Sequence, residues 1–93
     1  MVVVLIEGLG EFFGDVGSTV SVPVRVLEGE VQIGTCFGSL RHAGRDLITT
    51  ATVTGIVFYG MRVPFLSFGS TGVIEVVCGC RLAMVNMDKL IAI

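Results

Sequence analysis

Few residues in this chain are of types that carry chemistry, and their spacing limits what they can do. Three cysteines and a single histidine, Cys36, His42, Cys78 and Cys80, make one conceivable metal-ligand set. The spacing is C-x5-H together with C-x-C, which lies outside the usual structural-zinc patterns. Cys78 and Cys80, two apart on an extended stretch, share one face. Free cysteines more often behave as small apolar core residues, and that is the expectation for all three. A cysteine–histidine nucleophile pair would need His42 beside one of them. Asp15, Asp46 and Asp88 each fall in a turn context, where a short carboxylate bonds its own backbone. None of them reads as an acid–base catalyst. Glu7 and Glu75 lie within apolar runs and are expected to face water from a strand. Arg41, His42 and Arg45 form the one local basic cluster, within the polar segment 38–46 bounded by Gly38 and followed by Asp46. Guanidinium and imidazole groups on a loop can grip a phosphate, so these three are the expected contact residues for a nucleic acid or other partner.

The elements that position these groups are strands. Val20, Val22, Val24 and Val26 recur at every second residue with small or polar residues between them, the period of a ribbon with one buried face. Sixteen valines favour strands, and thirteen glycines interrupt the chain too often for a stable helix. Residues 1–7 read as a first strand and 19–27 as a second, with an edge or bulge at Pro23, which has no N–H to donate. A third strand is expected over 31–37, interrupted by Gly34. A polar loop follows over 38–46, and the longest strand over 47–59 is broken by a bulge at Gly55. Strands over 73–80, 81–85 and 89–93 complete the set, and residues 8–17 form a glycine-rich connection with two aromatics. Six to eight short strands in 93 residues point to one all-β domain, a small Greek-key-like β-barrel, because closure removes exposed edges.

Composition narrows the function classes. Apolar residues make up 53% of the chain and charged ones 15%, against roughly 45–50% and 25% in an average domain. A chain of this size buries only about 60% of its unfolded surface. Part of the apolar surplus is therefore expected to meet a partner, either a second copy of the chain or another protein. No apolar run approaches the roughly 18 residues of a spanning helix. No Lys or Arg precedes the first apolar run, which reads against a secretory leader. A cytoplasmic protein with reduced thiols is expected. The net charge of −2, with one lysine and five scattered arginines, excludes a nucleic-acid binder that works by bulk charge.

The segment Arg25-Val26-Leu27-Glu28-Gly29-Glu30-Val31-Gln32-Ile33-Gly34-Thr35 resembles the signature of the second domain of translational GTPases, the small β-barrel that follows the G domain in elongation factor Tu and its relatives. Thr52-Val53-Thr54-Gly55-Ile56, Phe68-Gly69-Ser70-Thr71-Gly72-Val73-Ile74-Glu75-Val76 and Asp88-Lys89-Leu90-Ile91-Ala92 follow in the family's order. The likeness spans about residues 20–93. Val24 stands where the family has glycine, and Thr35 stands where it has an acidic residue. The resemblance implies a barrel that contacts RNA or a ribonucleoprotein and has no catalytic role of its own. Nothing here matches G-x-x-x-x-G-K-[ST], so neither nucleotide binding nor another cofactor is expected. Two readings stand: a non-catalytic module contacting RNA through segment 38–46, or a protein-interaction or self-assembling module with no nucleic-acid role. An enzyme or metalloprotein centred on the cysteines and His42 is a distant third.

Overall fold

A computed structural model describes residues 1–93. Eleven strands and no helix make up the chain: β1 (Val2–Ile6), β2 (Glu11–Gly14), β3 (Thr19–Glu28), β4 (Val31–Gln32), β5 (Cys36–His42), β6 (Arg45–Phe58), β7 (Met61–Arg62), β8 (Phe65–Leu66), β9 (Thr71–Cys78), β10 (Leu82–Val85) and β11 (Lys89–Ala92). The main sheet runs in the order β5-β11-β1-β3-β9-β6-β7, and β5 also pairs with β6. Six strands therefore form a ring of antiparallel pairings, with β7 hanging from β6 as an end strand. Two small sheets, β2 with β10 and β4 with β8, lie outside the ring. The chain is all-β, and no helix is long and apolar enough to cross a membrane.

Valine alternation explains the core. Val22, Val24 and Val26 of β3 point inward with Val4 and Ile6 of β1, Ile74 and Val76 of β9, and Leu90 of β11. They belong to one cluster of 19 buried residues, with Phe37 among the largest fully buried side chains. Each large apolar side chain contributes about 1.5–3 kcal/mol on burial. Pro23 sits where the β1 ladder ends. Its carbonyl accepts from Glu7 N–H at 2.9 Å, the last bond of that ladder. The expected break at Gly55 is a register shift between β6 and β9.

Two expectations need correction and one is met. Segment 38–46 is no loop: β5 and β6 pair through it as a hairpin. Ala43 and Gly44, at φ 50° and 78°, make the tight turn, the geometry that matches strand twist. Its outer residues are polar on both strands, which hid the alternation. The interruption expected at Gly34 within 31–37 is present and separates β4 from β5. Gly34 adopts φ 95°, and the Thr35 hydroxyl accepts from Gln32 N–H at 3.0 Å, closing a turn between β4 and β5. The connection 8–17 contains β2, whose Phe12 packs on the core while Phe13 stays half exposed.

Candidate functional site

Two ends of the molecule concentrate unusual side chains. At the β5–β6 hairpin, Arg41 lies directly across from Asp46 and, on the other side, from Lys89. His42 lies across from Arg45. Opposed residues share a face and successive residues alternate, so the pairing sets Arg41 with Asp46 on one face and His42 with Arg45 on the other. Arg41 donates twice to Asp46, from Nε to Oδ1 at 2.6 Å and from Nη2 to Oδ2 at 3.0 Å. These bonds hold the Asp46 carboxyl below its ordinary range and raise Arg41 further. Arg41 is thus already committed to an anion within its own chain.

His42 is held too. Its Nδ1 lies 2.6 Å from Asp88 Oδ1, and Asp88 Oδ2 accepts from Val85 N–H at 3.0 Å. The Asp88 side chain is 5% exposed and that of His42 54%. A carboxylate on Nδ1 fixes the imidazole orientation and leaves Nε2 outward. Arg41 and His42 border a polar cleft of about 400 Å3 with Met87, Asp88 and Lys89, and Arg45 lies outside it. The structure therefore brings Arg41 and His42 to one cleft rim, does not add Arg45, and supplies Asp88, which spacing alone did not pair with His42.

The sulfur groups are dispersed. Cys36 is exposed and Cys78 is buried. Burial, then the neighbouring Cys80, pushes the Cys78 thiol up, away from a reactive thiolate. Cys80 Sγ contacts Thr49 Oγ1 at 3.4 Å. Cys36, His42, Cys78 and Cys80 do not assemble into a ligand cluster. Glu75, on its strand, accepts from Arg62 at 2.7 and 3.2 Å. That pairing lowers its carboxyl. The pair lies over Gly55, where a side chain would collide with the Glu75 carboxylate.

The opposite kind of surface surrounds segment 58–70. Phe58, Val63, Pro64, Phe65 and Leu66 line a groove of about 270 Å3 with Ser67 and Ser70. Tyr59 and Gly60, at φ 49° and 76°, turn β6 into β7. Phe58 and Met61 oppose each other across that hairpin and share a face. Tyr59 is 89% exposed, Phe68 71% and Met61 70%. Phe58 and Tyr59 stack edge to face at 4.5 Å. β7 pairs only with β6, so its outer edge is free. Sequence reasoning passed over this groove. The signal was present, since four of the seven aromatic residues fall between positions 58 and 68. Comparison with protein-family models, curated proteins and solved structures finds no match to this chain.

Proposed function

We propose that the chain is a non-catalytic binding module and that its partner is an extended apolar segment of another protein, seated in the Phe58–Leu66 groove beside β7. The observation that carries this reading is the joining of an aromatic groove to an unpaired strand edge. An incoming strand can take main-chain hydrogen bonds from such an edge while its alternate side chains enter the groove. Exposed aromatic and methionine side chains are the residue types enriched at binding surfaces. The resemblance to the barrel domain of translational GTPases points the same way, toward a domain that contacts a partner and performs no chemistry.

The RNA reading is less favoured by the charges. Arg25, Arg41, Arg62 and Arg81 each have a carboxylate within 4.0 Å, at 3.4, 2.6, 2.7 and 3.7 Å respectively. Arg45 and Lys89 are the cations left without one, too few for a phosphate-tracking face.

A selection from ten-residue linear peptides, ranked by fluorescence anisotropy, tests the reading. Binding is expected to fall at least tenfold in Met61→Glu and in Phe65→Ser, and to be unchanged in Arg41→Ala/Arg45→Ala. Failure to select any apolar peptide would contradict it. So would salt-sensitive retention of single-stranded RNA that is lost with Arg41 and Arg45, which would instead support the nucleic-acid reading.

A further inference from the structure

We propose that a second copy of this chain packs, about a two-fold axis, on the outer face of β1 and its neighbours β3 and β11. This surface is separate from the aromatic groove and does not rest on the reading of that groove. The inner face of β1 is spent on the core through Val4 and Ile6. The alternate residues, Val3 and Leu5, point outward. In a ring of this kind an outward row ordinarily carries polar side chains, because the barrel already has its core inside. Here Val3 lies across from Ile91, and Leu27 joins both in lining a groove of about 430 Å3.

Charge decides the occupant. Glu28 and Lys89 border the same groove. Glu28 lies on the β3 side of β1, across from Val3, and Lys89 lies on the β11 side, across from Leu5. Neither has an ion-pair partner within the chain, whereas Arg41 and Asp46, which also border the groove, neutralise each other. The face therefore offers an apolar floor with one unspent acid and one unspent base on opposite sides of β1. A two-fold axis lying in the interface and bisecting the line from Glu28 to Lys89 places each Glu28 against the partner's Lys89. The apolar floors then meet between two identical ion pairs. Such isologous self-complementarity is the commonest way a chain pairs with itself. Opposite charges at the rim set the register more than the strength.

Sedimentation equilibrium of the chain and three charge variants tests this. The wild type is expected to approach twice the 9.8 kDa chain mass in the micromolar range. Lys89→Glu and Glu28→Lys place like charges at two symmetric contacts and are each expected to loosen the dimer about tenfold or more. The double variant Glu28→Lys/Lys89→Glu restores opposite charges and is expected to recover the wild-type mass. A change confined to folding would not be rescued in this way, and circular dichroism reports the fold of each variant. A wild type that stays monomeric overturns the proposal. A dimer indifferent to both single substitutions, or one not recovered in the double variant, overturns it equally.

Discussion

The hairpin end and the aromatic end of this barrel use opposite strategies. At the β5–β6 hairpin Arg41, His42 and Asp46 are paired internally, and Arg45 alone is not. Arg41 takes both oxygens of Asp46, and His42 rests on the buried carboxylate of Asp88. Around the β6–β7 turn Arg62 is paired with Glu75, but Tyr59, Met61 and Phe68 stand largely in solvent beside an apolar groove. Of the basic cluster at the hairpin, Arg41 and His42 are already paired within the chain. The stretch that looks like ordinary strand and turn is the one left unsatisfied. A surface needs unspent interactions to bind, and by that measure the aromatic end is the better interface.

Substitutions sharpen the contrast, beginning with the largest effect. Asp88→Ala removes the acceptor for Val85 N–H and for His42 in a nearly buried setting. It is expected to destabilise the fold by about 2 kcal/mol, read as a lower urea midpoint. A wild-type midpoint would show that the hairpin end is not tied down through Asp88. Gly55→Ala comes next. Its added methyl meets the Glu75 carboxylate and the Arg62 guanidinium at the β6–β9 bulge. A loss of under about 1 kcal/mol is expected, because the flexible Glu75 and Arg62 ends can move aside, again by urea unfolding. At the aromatic end, Met61→Glu and Phe68→Ser are expected to leave stability within about 0.5 kcal/mol of wild type, because both side chains are already in water. A marked loss in either would mean the groove is core rather than interface.

The smallest effect concerns acid. Arg41 lowers the folded Asp46 carboxyl, and Arg62 lowers that of Glu75. A depressed carboxyl adds stability above its unfolded value, near 4, and loses it as pH falls through the lower folded value. Stability is therefore expected to decline below about pH 4. Asp46→Asn is expected to flatten that decline slightly, and molar salt to shrink the difference between the two proteins. An acid limb identical in Asp46→Asn would remove Asp46 from the explanation.

What was readable in the residues divides along physical lines. Alternating Val20 to Val26 and the bulge at Gly55 follow from local pattern and backbone chemistry and are present, and the edge expected at Pro23 falls where β1 pairing stops while β9 pairing continues. The hairpin escaped because within 38–46 only Leu40 is inward and buried, among the polar Arg41, His42, Arg45 and Asp46. The His42–Asp88 contact joins residues 46 apart and exists because β11 lies beside β5 in the ring. No spacing rule reaches that far. The aromatic groove depends on β6, β7 and β8 converging, which composition hints at and topology completes.

The most direct test follows the amide resonances of the isotope-labelled chain as a selected apolar ten-residue peptide is titrated in. Shifts are expected to concentrate in residues 56–70, with the β7 amide of Arg62, which points away from β6, among those gaining protection from exchange. Shifts centred instead on residues 40–46 and 86–89, with the aromatic end undisturbed, would contradict the assignment of the interface to the apolar end.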